Sequence, residues 1–398
     1  MKRLCPPENS GYAEKRFKHP FRPPTFSSII ILVLNYHLDP VTQMSTSVPT
    51  PLSPKQIFAN YIDTIRNPVS NISPGNSFFT LLANVLSHDS VHVVGFYDIA
   101  RCYTQAVIEF DDMYVSLSYN QDGVFQALLA NSTNKQLQQI VISNGNASLV
   151  ELSPEERITT ILDLDFNGRR WEGFVKNGHP FGYGCLYDEE GNLEYEGFIL
   201  NRTYTCYGKH YYGGIECLSY AGGYCDGKRC GKGISYDRCG EQDFDGNWYD
   251  NCKQKRLTNS LSQFPLLFIT LERLSIPSQY SQGDAISTLV FSPLLVHLQS
   301  IEIGESCFPS IQHFVVDGLA SLEFISIGNL SLQNPSFNKE NEFVFQIIHC
   351  PKLYTISLGQ SVGYAMNIAE LNDLPSLKEV SMSKYCFLKT RSFSLMRT

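Results

Sequence analysis

The sequence predicts a mainly β repeat protein: stacked β-hairpins, then a solenoid of short parallel strands, with a mixed α+β region before them. Three observations carry this prediction. An aromatic residue followed two positions later by glycine recurs about every 24 residues between 171 and 246. A Leu-x-x-aliphatic-x-aliphatic pattern recurs between 298 and 382, and 17 of the 28 glycines lie within 166–250. Such periods are typical of repeat architectures, in which each unit buries its apolar face against the next.

The composition excludes several classes of protein. The 398 residues carry a formal net charge of −8 and a pI near 5.6, which argue against a general nucleic-acid-binding surface. No apolar run approaches the roughly 18 residues of a membrane-spanning helix, and the longest strong run is Ile29–Leu34. We therefore expect a globular chain of about two or three domains that binds no nucleic acid.

Residues 1–50 are predicted to be a disordered, basic and proline-rich tail with one short apolar segment. Between 1 and 24, six Lys/Arg stand against two Glu, and five prolines oppose helix and sheet. Lys2-Arg3 and Lys15-Arg16 have the spacing of a two-part nuclear import signal, although a solvated tail is the favoured interpretation. Ile29–Leu34 lies too late and is too short for a secretory signal, so a buried strand is predicted there. We expect a cytoplasmic protein, with association with a membrane or the cytoskeleton left open.

Residues 51–165 show no repeat and are predicted to be a mixed α+β region. Phe78–Leu86 has the amphipathic pattern of a helix, and Ser153-Pro154-Glu155-Glu156 begins like a capped helix. Apolar runs predict four strands, at Val91–Phe96, Ala106–Phe110, Met113–Tyr119 and Leu137–Ile142. The alternative, that this region is a degenerate extension of the repeats, stays open.

The first repeat occupies residues 166–252 and predicts a stack of β-hairpins. With spacings of 24, 25 and 24, its units open at Trp171, Tyr195, Tyr220 and Phe244. Two glycine columns follow: Gly173, Gly197, Gly222 and Gly246, and then Gly182 with Gly184, Cys206 with Gly208, and Gly231 with Gly233. Aromatic residues favour strands, whereas paired glycines allow close backbone approach or a positive φ. Asp188–Gly191 and Asp237–Gly240 have the composition of hairpin turns with a left-handed glycine.

These residues resemble the membrane occupation and recognition nexus (MORN) repeat. Trp171-Glu172-Gly173, Lys176-Asn177-Gly178 and Gly182-Tyr183-Gly184 match its motif closely, whereas Cys206 and Ala221 depart from it. The resemblance implies contacts with proteins and, in some members, with membrane lipids. Residues 169–250 hold nine Lys/Arg against thirteen Asp/Glu, whereas a phosphoinositide surface needs a basic excess. We therefore expect protein partners, with a membrane lipid as the second class.

The second repeat occupies residues 257–398 and predicts a solenoid. With spacings of 24, 31 and 24, its units begin at Leu298, Leu322, Leu353 and Leu377. The second half of the unit repeats too, since Phe314–Leu319 is echoed by Phe345–Cys350. Each leucine-led segment predicts a short parallel strand, because its aliphatic residues can stack into one continuous core.

This pattern resembles a leucine-rich repeat of the irregular type found in microbial and protist surface-antigen proteins. Cys307-Phe308 and Cys386-Phe387 fill the Cys-Phe pair of that type. The resemblance implies that the side chains between the aliphatic positions face the concave side. They form a candidate partner-binding face: Gln299, Ser300, Glu302, Glu323, Phe324, Ser326, Tyr354, Thr355, Ser357, Lys378, Glu379 and Ser381. Tyr and Phe are enriched at interfaces, and a plain solvated ladder is the equal alternative.

The sequence carries no recognisable catalytic or metal-binding motif. It has no phosphate loop, no Gly-x-Ser-x-Gly elbow and no His-Glu-x-x-His. The seven cysteines between 185 and 252 form no Cys-x-x-Cys pair, which favours free thiols over a zinc site. His88 and His92 have the spacing of a helical metal pair, but no third ligand is identifiable. We expect no metal, no cofactor and no enzyme activity.

The two repeat arrays together predict a non-enzymatic scaffold or adaptor that presents surfaces for protein–protein interaction. The alternative is a peripheral protein that binds membrane lipid or acts in surface adhesion, as the two resemblances suggest. The acidic charge balance favours the scaffold.

Overall fold

The computed structural model describes residues 52–67, 74–119, 124–143, 146–151, 159–164, 167–215, 217–254, 264–280, 286–333 and 342–396. Every helix, strand and sheet below is counted within these stretches. Residues Pro51–Thr398 form one compact unit. The predicted tail over 1–50, its strand at Ile29–Leu34 and the predicted helix start over 153–156 lie outside the described residues.

Two helices and an antiparallel meander make up the N-terminal region. They are α1 (Pro54–Arg66), α2 (Pro74–Leu86), β1 (His92–Asp98), β2 (Tyr103–Phe110), β3 (Met113–Tyr119), β4 (Phe125–Asn131), β5 (Leu137–Ser143) and β6 (Asn146–Glu151). The predicted helix lies within α2, and the four predicted strands overlap β1, β2, β3 and β5. No helix among the described residues is long and apolar enough to span a bilayer. That the region is a degenerate copy of the repeats stays a prediction.

A reciprocal cap explains where α1 begins. The Ser53 hydroxyl accepts a hydrogen bond from the Gln56 backbone N–H, and the Gln56 side chain accepts one from the Ser53 N–H in return. This capping box satisfies two of the backbone groups that a helix start leaves without a partner. The helix then buries Phe58, Tyr61 and Ile62 on one side.

A second antiparallel sheet, here called the hairpin sheet, contains nine of the described strands, each paired with its neighbours along the chain. They are β7 (Thr159–Leu164), β8 (Arg169–Lys176), β9 (His179–Tyr187), β10 (Leu193–Leu200), β11 (Thr203–Tyr211), β12 (Leu218–Cys225), β13 (Lys228–Tyr236), β14 (Gln242–Tyr249) and β15 (Cys252–Gln254). The sheet therefore begins before residue 166, where the repeat pattern begins. Gly191 and Gly240 close their turns at φ of 87° and 84°, as the turn composition predicts.

A β-solenoid of about five turns follows the hairpin sheet. β16 (Leu266–Phe268) pairs with β1 and completes the first sheet, here called the meander sheet. The solenoid strands are β17 (Arg273–Ile276), β18 (Thr288–Phe291), β19 (Ser300–Ile303), β20 (His313–Asp317), β21 (Phe324–Ile327), β22 (Val344–Ile348), β23 (Thr355–Leu358), β24 (Ile368–Asn372), β25 (Glu379–Met382) and β26 (Ser392–Met396). Odd-numbered solenoid strands form one parallel sheet, the front sheet, and even-numbered ones form the back sheet.

The predicted solenoid register is confirmed in both sheets. β19, β21, β23 and β25 coincide with the four leucine-led segments and place Ile301, Ile325 and Ile356 side by side. In the back sheet, Phe314 lies opposite Phe345, as the repeat of the second half predicts.

The solenoid turns at corners that share one backbone conformation. At each of four corners, two residues with a left-handed backbone conformation flank one residue between them. The flanking pairs are Ser306 and Phe308, Leu330 and Leu332, Ser361 and Gly363, and Tyr385 and Phe387. Their spacings of 24, 31 and 24 equal those of the leucines. At two corners the middle residue is cysteine, and its thiol donates to a carbonyl of the preceding turn: Cys307 to Pro277 at 3.2 Å and Cys386 to Gly359 at 3.0 Å. The Cys-Phe pairs therefore hold successive turns together.

The core runs without interruption from the helices into the solenoid. Phe58, Phe78, Ile108, Leu289 and Ile325 all belong to one cluster of buried side chains. Alternate residues of β2 divide between two layers, since Ile108 joins this cluster whereas its neighbour Val107 packs against the hairpin sheet. The meander sheet is thus the central layer, with the solenoid and helices on one face and the hairpin sheet on the other.

Three buried thiols lie where the hairpin sheet meets the meander sheet. Each donates to a backbone carbonyl of the meander sheet: Cys206 to Leu128 at 3.2 Å, Cys225 to Leu117 at 3.5 Å and Cys230 to Val94 at 3.7 Å. The eleven cysteines within the described residues are all free. These three act as small core residues that fit between two closely packed sheets.

This burial predicts a clear order of thiol reactivity. Burial raises the pKa of Cys206 to about 12 and that of Cys225 to about 11, so neither forms a thiolate near neutral pH. Cys239 and Cys252 are exposed. We expect iodoacetamide at pH 8 to alkylate Cys239 and Cys252 in the folded chain, and Cys206 and Cys225 only after addition of urea. Peptide mass spectrometry of a time course measures this, and rapid alkylation of Cys206 without urea would contradict the packing of the two sheets.

The last turn exposes apolar side chains at positions that the preceding turn buries. Leu371 of β24 is 1% exposed, whereas its register partner Leu395 of β26 is 55% exposed. Leu358 and Met382 differ in the same way, at 1% and 46%. The continuous core of the solenoid therefore thins out at β25 and β26, each of which forms one edge of its described sheet.

Candidate functional site

Eight of the twelve residues of the candidate partner-binding face lie on the outward side of the front sheet, and the other four directly precede its strands. The twelve together are here called the outer face. Parallel pairing sets one row side by side: Ser300, Phe324, Thr355 and Glu379. A second row lies two residues further along: Glu302, Ser326, Ser357 and Ser381. The third row precedes the strands, and its members are joined through backbone hydrogen bonds between successive turns: Gln299, Glu323, Tyr354 and Lys378.

Strand alternation separates the outer face from the core. Ile301, Ile325 and Ile356 are 0% exposed because they point into the solenoid. Each outer-face side chain, in contrast, is half-buried or exposed, and Tyr354 reaches 42% exposure. Successive side chains on a strand point to opposite sides of a sheet, so the buried isoleucines fix the outward direction of the two rows on the strands. The third row lies before the strands, where Gln299 is half-buried and Glu323, Tyr354 and Lys378 are exposed.

The polar side chains of the outer face are not engaged with one another. Among the described residues, none of the twelve makes a side-chain hydrogen bond or an ion pair within the chain. The back sheet differs, because its outward side chains bond across neighbouring turns: Gln346 to Glu370 at 2.7 Å, Asn372 to Ser394 at 3.1 Å and His349 to Asp317 at 2.8 Å. The outer face therefore keeps its donors and acceptors available for another molecule.

The outer face combines two aromatic rings with a mostly acidic rim. Phe324 lies on β21, and Tyr354 directly precedes the adjacent strand β23, whose first residue Thr355 pairs with Phe324. Three glutamates accompany them, and Lys378 is the only basic member of the twelve. Aromatic anchors within a polar rim are the usual composition of a protein-binding patch. The outer face has the chemistry to contact the surface of another protein. None of its hydroxyl groups is hydrogen-bonded to a base among the described residues.

The repeat residues of the hairpin sheet serve its packing. Trp171, Tyr195 and Tyr220 are 0% exposed. Each ring lies over a cross-strand pair of glycines: Gly173 with Gly184, Gly197 with Gly208, and Gly222 with Gly233. A Cβ atom on Gly208 would lie 2.2 Å from the Tyr195 hydroxyl oxygen, so only glycine leaves room for the ring. The polar tips are satisfied by carbonyls three residues on: Phe174 for Trp171, Phe198 for Tyr195 and Gly223 for Tyr220.

The other repeat positions show why the departure at Cys206 is tolerated. Gly182 and Gly231 adopt φ of 95° and 93°, and Cys206, in the same column, adopts a left-handed φ of 58°. The cysteine keeps the bend of the strand and adds a thiol to the sheet interface. Gly246 still pairs with Gly233, whereas Phe244 is only half-buried and packs on Trp248 at 5.5 Å between ring centroids.

The histidine pair considered for a metal has other partners. His88 follows α2 and its Nδ1 contacts the Ser90 hydroxyl at 2.8 Å, whereas His92 lies on β1 and its Nε2 contacts the Asn247 side-chain oxygen at 2.9 Å. Within the stretches that the structure describes, no three His, Cys, Asp or Glu side chains are grouped to hold a metal ion. The absence of a metal and of a cofactor stays a prediction.

Sequence reasoning overlooked a polar group at the ends of the back-sheet strands. Asp317 ends β20, His349 follows β22 and Asp373 follows β24. The repeated second half of each unit was the available signal, since it places Asp317 and His349 at neighbouring positions of successive turns. Their polar type stands out against the aliphatic residues around them, but only the fold reveals the cleft that they border.

The chain matches no protein-family model, and no curated protein matches it significantly. The resemblances to known repeats therefore depend on the residue columns described above. The geometry of the outer face stands independently of them.

Proposed function

We propose that the chain is a non-enzymatic scaffold that holds a protein partner on the outer face of its front sheet. The observation that carries this proposal is the contrast between the two solenoid sheets. Two pairs of outward polar side chains on the back sheet bond across neighbouring turns, whereas the polar side chains of the outer face make no such bonds beside Phe324 and Tyr354. Aromatic residues are enriched on surfaces that bind a partner.

We also propose that the two arrays are MORN-like hairpins and leucine-rich repeats of the irregular type. The aromatic rings over glycine pairs support the first assignment, and the corners with Cys307 and Cys386 support the second. Both repeat types serve as binding modules, in keeping with a scaffold in the cytoplasm. The acidic composition supports a protein partner over a membrane lipid.

The partner's own surface follows from the chemistry of the outer face. Glu302, Glu323 and Glu379 stand against Lys378, so basic side chains on the partner would be complementary. The rings of Phe324 and Tyr354 would take an apolar residue between those basic groups. The serine and threonine hydroxyls would donate to and accept from the partner's polar groups.

Replacing both aromatic residues tests this proposal. We expect the Phe324→Ser/Tyr354→Ser variant to lose its partner by at least about tenfold in capture from cells that express the chain, because aromatic anchors dominate interface energetics. The melting temperature should change little, since both side chains face outward. The matched control is Val315→Ser, at a half-buried outward position of the back sheet.

Quantitative mass spectrometry of the captured proteins measures the difference. A protein that is retained by wild type and by Val315→Ser but lost from the double variant supports the proposal. Equal recovery with all three chains, or no protein reproducibly retained by wild type, contradicts it. Flotation with acidic liposomes separates the lipid alternative, for which we expect no binding.

A further inference from the structure

A cleft of about 780 Å³ opens between the meander sheet and the corners of the back sheet. One wall comes from α2 and the meander sheet: Phe79, Thr80, Tyr119, Phe125 and Ile142. The facing wall comes from the solenoid, where one repeat position supplies Ala320, Pro351 and Pro375, and Pro293 joins them. Clefts of this size with apolar walls and a few polar groups are typical of small-molecule sites. The prolines restrict the backbone, so the wall is largely preformed.

The titratable groups at the polar end of the cleft are two carboxylates and one histidine. Asp317 and Asp373 line it, with His349 between them, and the His349 Nδ1 contacts the Asp317 carboxylate at 2.8 Å. Among the described residues that line the cleft, none is lysine or arginine. Both carboxylates also act on the neighbouring Cys350, whose pKa is raised to about 12 mainly by burial and further by their charge. Two carboxylates against one imidazole therefore give the cleft an acidic lining.

The aromatic wall faces the same space as the carboxylates. Phe79 and Phe125 pack edge to face at 5.6 Å between ring centroids. The pKa of Tyr119 is raised mainly by burial, then by Cys102 and by the charge of Asp317, so Tyr119 lies near that carboxylate. Aromatic faces attract cations, and carboxylates do so more strongly. Anions are repelled by the carboxylates and gain nothing from the aromatic faces.

We infer that this cleft binds an organic cation, that is, a protonated amine or a guanidinium carried on an apolar body. The carboxylates of Asp317 and Asp373 would hold the charge, and the rings and prolines would cover the apolar part. None of the residues that line the cleft belongs to the outer face. The inference is therefore independent of the proposed scaffold function and fails or holds separately from it.

Matched probes on the full chain test the inference. We expect 2-phenylethylamine to bind saturably and roughly tenfold more tightly than 2-phenylethanol, its neutral counterpart, since only the amine gains from the carboxylates and aromatic faces. Phenylacetate, which has the opposite charge, should not bind. Isothermal titration calorimetry measures all three. Equal affinities for the amine and the alcohol would overturn the inference. So would the absence of saturable binding for both the amine and the peptide probe described below.

A peptide probe distinguishes the two sources of such a cation. Acetyl-Phe-Arg-amide carries a guanidinium and an aromatic ring as a partner protein would. Binding of the peptide with no binding of the free amine assigns the cleft to an arginine side chain of a partner. Binding of the amine alone, or of both probes, assigns it to a small molecule.

Charge-neutral variants locate the binding. Asp317→Asn/Asp373→Asn should weaken the binding of the cationic probe roughly fivefold, because the carboxylates are lost whereas the aromatic faces remain. The control Asp89→Asn/Asp245→Asn removes the same net charge at exposed positions away from the cleft and should leave the affinity unchanged. Equal effects of the two variants would assign the binding to the general acidity of the chain and contradict the inference. Melting temperatures of both variants show whether the fold is kept.

Discussion

Replacing Gly184 with alanine is expected to destabilise the protein by about 3 kcal/mol, near the upper end for an overpacked core. A Cβ atom at this position would lie 2.4 Å from the Trp171 ring, 2.6 Å from the Glu172 carbonyl oxygen and 2.7 Å from the Gly173 Cα. Two of these three atoms belong to the backbone of the paired strand, so no side-chain rotation relieves the clash. The ring of Trp171 would have to leave its place over the glycine pair.

Urea unfolding followed by tryptophan fluorescence measures this effect. The chain has two tryptophans, Trp171 and Trp248, and both lie on the hairpin sheet, so the signal reports on that sheet. Gly213→Ala is the matched control, because a Cβ there meets nothing within 4 Å. It should change the free energy of unfolding by no more than about 1 kcal/mol. Similar curves for both variants would contradict the packing of rings over glycine pairs.

In the solenoid, the largest expected effect is that of Ile325→Ala, which should lower the free energy of unfolding by about 4 kcal/mol. Ile325 is 0% exposed and lies between Ile301 and Ile356 of the adjacent turns. Truncation removes apolar contacts on both sides and leaves a cavity that the neighbouring turns cannot close without breaking the parallel register. Part of the loss is the transfer of the side chain to water, and part is the cavity itself.

Ser326→Ala provides the control for this substitution at the next residue of β21. Its side chain faces outward and makes no hydrogen bond within the described residues, so the expected change is within about 0.5 kcal/mol. Urea unfolding followed by circular dichroism compares the two variants. A loss at Ser326 as large as that at Ile325 would show that the assignment of the inward and outward sides of β21 is wrong.

Periodicity made the repeats predictable, because each unit must repeat the residues that its neighbour packs against. The columns at Trp171, Tyr195 and Tyr220 and the leucines of the solenoid identified strands, turns and register, including the irregular spacing of 31. The outer face followed from the same alternation. The sequence also contains a pattern that indicates the start of α1, because the Ser53–Gln56 capping box precedes an amphipathic run. The run is short and bounded by a proline, which made the helix hard to predict.

The arrangement of the three layers was not predictable from such patterns. Val107 and Ile108 are both aliphatic, and nothing in their local sequence assigns one to the hairpin sheet and the other to the solenoid core. The same holds for Cys206, whose thiol reaches a carbonyl 78 residues away along the chain. The cleft depends on this packing, because its two walls come from α2 and the meander sheet on one side and the back sheet on the other.

The outer face is tested most directly by site-specific photo-cross-linking of the complex captured with the full chain. Tyr354→p-benzoylphenylalanine places the probe on the front sheet, and Val315→p-benzoylphenylalanine places it on the back sheet at a comparable outward position. We expect the partner to be linked to position 354 and not to position 315. Linkage at 315 alone, or no linkage at 354 with the partner still bound, would contradict the assignment of the front sheet as the docking surface.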